Sequence, residues 1–328
     1  MPDRHGIVNN TMADPLIPDV LFSLGNRAAL ADRRWWDGAT PIWVSVEQQG
    51  LKAATLFWPG SETDIQGVRP SDWRVYDSKL PPETRVDEVL GWLDRPRATR
   101  PDFITLYFET VDSAGHRSGP QGEATMQAMA QIDQAVGRLV EGLKARGLLD
   151  QTNLLIVSDH GMAPISAERV VLLDDMFDTT SVERFSAYGP LLGFTPLPGR
   201  EAEVKEKLSR PHEHVQCWPK EQLPQRFDYG QNRRVPPFVC LADIEWSLAT
   251  RESLARNPPG GGAHGFDPAD PQMAALFMAH GPAFQGGARL TEGFSNLDVY
   301  PLLARLLGIK PQPHQGRSDT FDKVLTQH

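Results

Sequence analysis

The sequence predicts an α/β fold, and two kinds of pattern indicate it. Apolar runs at Phe103–Phe108 and Leu154–Val157 have the length of buried strands, and acidic and histidine side chains follow each run. Between them, residues 123–149 repeat apolar side chains with the period of an α-helix, which predicts a long amphipathic helix. Because ligand sites in open α/β sheets form where the strands end, we expect the polar side chains of both runs to meet there.

Shorter patterns predict the other elements. They place strands at Lys52–Phe57, Phe238–Ala242 and Gln272–Met278, a helix at Arg85–Leu93, and a second helix that Asn296 caps and that runs through Leu307.

Large apolar side chains are assigned to packing. Met126 and Met129 lie on the apolar stripe of the long helix, so we expect them in the core. We also expect Trp35, Trp36 and Trp43 to pack an amphipathic helix on the sheet rather than to stack on a substrate.

The composition and hydrophobic pattern of the sequence change between residues 165 and 246. Scattered prolines, broken alternation and charged residues there predict an inserted, cap-like subdomain, and residues 1–164 and 247–328 then form the core. The pair His212 and His214 within this region is interpreted as a solvated loop.

Three short segments carry the residue types of a metal site. Asp112 and His116 are one helical turn apart, Asp159 and His160 follow the second apolar run, and His264 lies in a glycine-rich loop. Carboxylates and neutral imidazoles suit a borderline divalent ion such as Zn²⁺. A single Asp-His pair is more often a turn or a helix cap, but three such groups predict a shared metal site.

These segments, with Pro2–Pro15 and Trp73–Asp77, resemble the nucleotide pyrophosphatase/phosphodiesterase family of the alkaline phosphatase superfamily, particularly its bacterial members. The similarity runs from Pro2 to about Leu307. It implies an alkaline-phosphatase-like, doubly wound sheet with an inserted subdomain that packs near the metals.

The resemblance also implies ligand sets for two zinc ions. Asp112, His116 and His264 would hold one ion, and Asp159 and His160 would contribute to the second. In the family pattern, the second ion also has an aspartate ligand from the end of the first strand. Because that aspartate precedes the segment at which this sequence begins, we expect only one of the two ions to be held firmly.

Two further roles are carried over to the substrate. Asn10 would donate to a nonbridging phosphoryl oxygen, and Tyr76 would stack on a nucleobase. The threonine nucleophile of the family also precedes the Gly6–Asn10 segment, and Thr11 does not match its position. We therefore expect a sequence that is N-terminally truncated relative to the family and inactive or strongly impaired as a hydrolase.

The implied reaction is zinc-dependent hydrolysis of nucleotide phosphodiester or pyrophosphate bonds with release of nucleoside monophosphates. Two alternatives stay open: an inactive remnant that binds metal or nucleotide, and a related two-metal phosphomonoesterase or phosphonate hydrolase. Asn10 and Tyr76 argue against the last of these.

Composition limits the partners and the compartment. A net charge of −9 over 328 residues disfavours duplex nucleic acid, so we expect a small-molecule nucleotide or phosphodiester substrate and a monomer. The sequence has neither the ~20-residue apolar stretch of a membrane span nor the apolar core of a signal peptide. We therefore expect a cytoplasmic protein as written, although complete family members are expected to be exported or periplasmic. Cys217 and Cys240 are predicted to be buried free thiols, because pairing requires an oxidising compartment.

Overall fold

The computed structural model describes residues 1–186 and 188–326 of the chain. The α-helices in these residues are α1 Pro2–His5, α2 Arg27–Ala31, α3 Ile42–Gln48, α4 Pro82–Leu93, α5 Thr110–Ser118, α6 Glu123–Ala145, α7 Leu173–Met176, α8 Glu201–Leu208, α9 Arg251–Arg256 and α10 Val299–Leu307. The strands are β1 Thr11–Asp14, β2 Ile17–Ser23, β3 Ala53–Leu56, β4 Asp72–Arg74, β5 Phe103–Leu106, β6 Leu154–Val157, β7 Ala163–Pro164, β8 Val170–Leu172, β9 Val182–Phe185, β10 Leu191–Pro196, β11 Val215–Pro219, β12 Phe238–Ala242, β13 Ser247–Ala249, β14 Gly262–Ala263 and β15 Phe277–His280.

A parallel sheet in the order β4-β3-β5 forms the centre of the α/β core. Every residue of β3 is buried, as expected for a strand that is covered on both faces. The long helix α6 packs against α4 and α5, and its Leu139 and Leu143 share an apolar cluster with Ile104 and Leu154. The α/β fold and the predicted strand at Lys52–Phe57 are confirmed.

The strands that lead into the predicted metal site lie in two separate sheets. Among the described residues, β5 pairs only with β3, and β6 pairs only with β15 in antiparallel register. The strand predicted at Gln272–Met278 is displaced, because Pro271–Met273 forms a 3₁₀ turn and the strand begins only where β6 offers a partner. The helix expected from Asn296 begins as a 3₁₀ turn whose N-cap is Ser295.

The assignment of Met126 and Met129 to the core is wrong, because their side chains are 56% and 41% exposed. Helix α6 instead buries a neighbouring stripe that includes Ala128, Ala135 and Leu139. None of the helices in the described residues is both long enough and apolar enough to cross a membrane.

The region after residue 165 contributes an antiparallel sheet in the order β11-β12-β10-β9, with its own apolar cluster. Strand β12 coincides with the predicted strand Phe238–Ala242. The domain boundaries at residues 164 and 247 stay a prediction. The expectation of free thiols is wrong: Cys217 and Cys240 form a disulfide. The register of β11 on β12 places these residues opposite each other, and such a register is not visible in the sequence.

The N-terminal segment is tied to this region by a buried ion-pair cluster. The Asp14 carboxylate accepts hydrogen bonds from Arg233 at 2.8 Å and from Arg234 at 2.6 Å, and its side chain has no exposed surface. Arg234 also donates to the carbonyl oxygens of Gly6 and Trp35. As predicted, the tryptophans are core residues: Trp35, Trp36 and Trp43 all belong to one apolar cluster.

Replacing Asp14 with asparagine should strongly destabilise the fold. Burial alone would raise the pKa of Asp14, but the hydrogen bonds from Arg233 and Arg234 lower it to about 2. Since a depressed carboxyl pKa stabilises the folded state above its unfolded value of 3.8, this contribution should fade as the pH falls from about 4 to about 2. Asp14→Asn leaves the buried Arg234 guanidinium without its carboxylate partner, so we expect a loss of about 3–5 kcal/mol in the free energy of unfolding.

Chemical denaturation at pH 7 and pH 3 measures this loss. The matched control is Asp322→Asn, which removes the exposed pair between Asp322 and Arg305 and should change stability by about 0.5 kcal/mol or less. Equal effects of the two substitutions would contradict a special role for the buried cluster.

Candidate metal centre and aromatic pair

Helix α5 presents two of the predicted ligands at the end of β5. Asp112 lies in its first turn and His116 in its last, and the Nε2 atom of His116 is 3.5 Å from the Oδ1 atom of Asp112. The opposite ring nitrogen, Nδ1, lies 2.9 Å from the carbonyl oxygen of Gly262. A carbonyl only accepts, so Nδ1 carries the proton and Nε2 keeps its lone pair for a metal.

His264 joins this pair from the far end of the chain. It directly follows β14, which pairs with β7 just beyond the end of β6. Its Nε2 atom is 3.7 Å from Asp112 Oδ1, and the candidate ligand atoms of Asp112, His116 and His264 all lie within 4.8 Å of one another. The structure thus brings together the three residues that the sequence assigned to one ion.

A divalent cation fits this group. The Oδ1 atom of Asp112 is buried and has no hydrogen-bond partner among the described residues, so a carboxylate oxygen points into the group uncompensated. Ligand bonds of about 2.0–2.2 Å in a tetrahedral zinc site place ligand atoms roughly 3.3–3.6 Å apart. The two distances from Asp112 Oδ1, 3.5 and 3.7 Å, are close to that spacing.

The second predicted ligand pair lies beside the first group. The ring of His160 stacks on that of His264, with centroids 3.5 Å apart. His160 donates through Nδ1 to the Gly161 carbonyl oxygen, and its Nε2 is 3.4 Å from Asp159. The Asp159 side chain is 76% exposed, so this half of the site is the more open one.

The electrostatics favour a neutral His264. Burial, assisted by the neighbouring His160 and opposed by the Asp112 carboxylate, lowers the pKa of His264 to about 4. His264 is therefore uncharged at neutral pH. An uncharged ring keeps its lone pair for a metal, so no proton has to be released before an ion binds.

Two glycines allow the backbone around the centre to pack closely. A Cβ atom on Gly161 would lie 2.1 Å from the carbonyl oxygen of Gln272, and one on Gly262 would lie 2.8 Å from that of Gly115. Gly161 is not among the residues with positive φ. Its role is therefore close approach of two backbone segments, rather than a left-handed backbone conformation.

Tyr76 and Phe57 form an aromatic pair. The Tyr76 ring is 40% exposed and packs edge-on against Phe57, with centroids 5.4 Å apart. Burial raises the pKa of Tyr107 to about 12, assisted first by the charges of Asp159 and Asp112 and then by Tyr76 and Glu109. The pKa of Tyr107 is thus influenced by two of the predicted metal ligands and by Tyr76. Neither Phe57 nor Tyr107 was singled out from the sequence, because both belong to apolar runs that indicate strands.

Asn10 is exposed and lies in the bend before β1. Its carbonyl oxygen accepts a hydrogen bond from the Leu24 amide. Within the described residues, no hydrogen bond links its side chain to the metal ligands, so its phosphate contact stays a prediction.

Comparison with known proteins identifies the family of the chain. The sequence pattern of the type I phosphodiesterase / nucleotide pyrophosphatase family matches residues 1–267, which include all five predicted metal ligands. The chain belongs to this family. The predicted family is confirmed, whereas the resemblance to its bacterial members stays a prediction, since the relatives below come from vertebrates.

The curated relatives include venom phosphodiesterases and mammalian enzymes. The venom phosphodiesterase of Macrovipera lebetinus is 37% identical over 331 residues, and the alignment covers 99% of this chain and 38% of the relative. Ectonucleotide pyrophosphatase/phosphodiesterase family member 3 of Mus musculus is 36% identical and is covered to 37%. The chain therefore spans about two fifths of the length of these relatives.

Solved structures share the whole fold. Murine ectonucleotide pyrophosphatase / phosphodiesterase 5 superposes with a TM-score of 0.92 at 31% identity, covering 99% of this chain and 85% of that chain. An inactive threonine-to-alanine variant of the murine protein, in complex with AMP, also superposes with a TM-score of 0.92. The human protein gives 0.91 at 32% identity. The fold is thus the alkaline-phosphatase-like fold of nucleotide pyrophosphatases, as predicted.

Substituting Gly161 with alanine should disrupt the centre. The new Cβ atom would collide with the backbone of Gln272, so the loop that carries His160 must move. We expect metal affinity to fall about tenfold or more, the size of effect seen when supporting contacts of a metal site are lost. Gly91→Ala, in helix α4 with open space around it, is the control and should leave metal binding unchanged. Unchanged metal affinity in Gly161→Ala would show that the loop tolerates the shift.

Proposed function

We propose that this protein uses the centre around Asp112 to hydrolyse nucleotide phosphodiester or pyrophosphate bonds, with release of nucleoside monophosphates, and that the metal is zinc. The observation that supports the proposal best is the buried, unpartnered Oδ1 atom of Asp112 between two imidazoles. A carboxylate oxygen that is buried without a hydrogen-bond donor is costly unless a cation binds there. Two histidines and one carboxylate are a typical donor set for zinc with an open coordination position.

Different residues of the chain would bind the phosphate and the base. Asp112, His116 and His264 would hold one zinc ion, and Asp159 and His160 would contribute to a second, more weakly held one. Bound zinc would act as a Lewis acid toward a phosphoryl oxygen. Asn10 would orient a nonbridging oxygen, and the half-exposed ring of Tyr76 would stack on the nucleobase.

The AMP complex of the murine relative supports a nucleotide as the ligand class, because that protein shares this fold over 99% of the present chain. The threonine-to-alanine change in that inactive relative accords with the expected threonine nucleophile. We assign that role to no residue among 1–328. Thr11 begins β1, where its backbone pairs with Ser23, and the proposal gives it no part in catalysis.

Metal analysis tests the first part of the proposal. After dialysis we expect closer to one zinc than two per chain, because only Asp159 and His160 are assigned to the second ion. His264→Ala should remove most of the bound zinc, since it deletes one of three ligands. His214→Ala is the matched control, because that histidine pairs with Asp243 away from the centre. Two firmly held ions, or zinc retained in His264→Ala, would contradict the ligand assignment.

Nucleotide binding tests the second part. Zinc-loaded protein should bind AMP in a calorimetric titration, and Asp112→Ala should abolish the binding. With an aryl nucleotide phosphodiester we expect turnover near background from residues 1–328, because no nucleophile is assigned to them. Absence of AMP binding in the zinc-loaded chain would overturn the proposed function. Fast, zinc-dependent turnover that Thr11→Ala abolishes would instead overturn the nucleophile assignment.

A further inference from the structure

One buried arginine connects helix α5, which carries Asp112 and His116, to the aromatic pair of Phe57 and Tyr76. Arg85 lies in α4, and its side chain is only 1% exposed. Its guanidinium donates to both carboxylate oxygens of Glu109, at 2.6 and 2.8 Å, and to the carbonyl oxygens of Tyr107 and Leu80. Glu109 is the residue that precedes α5, so this fork fixes the junction between β5 and the helix that carries the metal ligands.

The same guanidinium also contacts the ring of Phe57. Its carbon lies 4.9 Å from the ring centroid of Phe57, within the range of a cation–π contact. Phe57 follows β3 with a φ of 63°, a left-handed conformation that is uncommon for a bulky residue. This conformation needs support from the surroundings, and the contact with Arg85 supplies it. The Phe57 ring in turn carries the edge-on contact with Tyr76.

Charge also connects Glu109 to Tyr76. Burial raises the pKa of the Tyr76 hydroxyl, and the Glu109 carboxylate raises it further while Arg85 acts in the opposite direction. Burial would likewise raise the pKa of Glu109, but the hydrogen bonds and charge of Arg85 lower it, so the carboxylate stays ionised beside the tyrosine. The Tyr76 ring is thus held by contact with Phe57, and Arg85 contacts both Phe57 and Glu109.

We propose that Arg85 is a positioning residue that sets the orientation of Tyr76, and so the affinity for the nucleobase part of a ligand, without contacting the ligand itself. The inference rests on the proposed nucleotide-binding function. The competing explanation is that the buried pair of Arg85 and Glu109 only stabilises the fold. That explanation predicts equal losses for ligands with and without a base, whereas a positioning role predicts a loss confined to ligands with a base.

The test uses zinc-loaded protein with two probes, AMP and ribose 5-phosphate, which lacks the base. Arg85→Lys keeps the charge but loses the planar fork that holds both oxygens of Glu109. Since stacking on an aromatic side chain contributes about 1–3 kcal/mol per base, we expect about fivefold or greater weakening of AMP binding. Affinity for ribose 5-phosphate, measured at equal zinc content, should change less than about twofold. Arg138→Lys, which alters an exposed pair with Asp87 between α6 and α4, is the matched control.

A double-mutant cycle decides whether the effect runs through Tyr76. If it does, Arg85→Lys should cost no further AMP affinity in a Tyr76→Ala background. Glu109→Gln, which keeps the shape of the side chain, should show the same loss confined to AMP and serves if Arg85→Lys does not fold. Three results would overturn this inference and leave the proposed function intact. They are equal losses for both probes, additive losses in the double mutant, and an unchanged AMP affinity in Arg85→Lys when the unsubstituted chain binds AMP. A parent chain that binds ribose 5-phosphate and AMP equally would overturn the role of Tyr76 and the inference with it. A zinc-loaded parent that binds neither probe would overturn the proposed function itself.

Discussion

The centre depends on one close backbone contact, between the last turn of α5 and the glycine-rich segment before His264. A Cβ atom on Gly261 would lie 2.1 Å from the carbonyl oxygen of His116, so no other residue type fits there without displacing the backbone. The contact lets the Gly262 carbonyl accept the Nδ1 proton of His116. It therefore fixes the tautomer of one ligand and delivers another, His264, opposite Asp112. Segments almost 150 residues apart become one ligand set because two backbones touch.

The cost of this arrangement is electrostatic. Three imidazoles and two carboxylates converge in a space where burial and neighbouring charge hold the pKa of His264 near 4. Because His264 is uncharged, the Asp112 oxygen that lacks a hydrogen-bond donor gains no opposite charge from that ring. Polar groups that are buried in this way destabilise the metal-free protein, and a bound cation would relieve the penalty. Function and stability are thus opposed at this point of the fold, as is common for active sites.

The sequence could predict the parts of the site whose geometry is local. The spacing of Asp112 and His116 already implies one face of a helix, and the apolar run before them implies a strand end. Contacts set by long-range register were not predictable. The pairing of Cys217 with Cys240 depends on how β11 aligns with β12, and the exposure of Met126 depends on which stripe of α6 meets its neighbours. A periodic apolar stripe indicates a helix but does not show which part of the stripe becomes buried.

The role proposed for Arg85 was likewise not predictable from the sequence. In the sequence it is one charged residue at the start of a predicted helix, where arginine is usually solvated. Only the fold shows that it is buried between Phe57 and Glu109. Phe57 contacts Tyr76, and Glu109 directly precedes helix α5, which carries Asp112 and His116. β5, Glu109 and α5 are consecutive, so Arg85 holds the start of the helix that carries Asp112 and His116 as well as the ring of Phe57. In the function proposed above, the separation between the phosphate and the base would then be set by one junction rather than by two independent loops, which would favour ligands whose charged group and ring are a fixed distance apart.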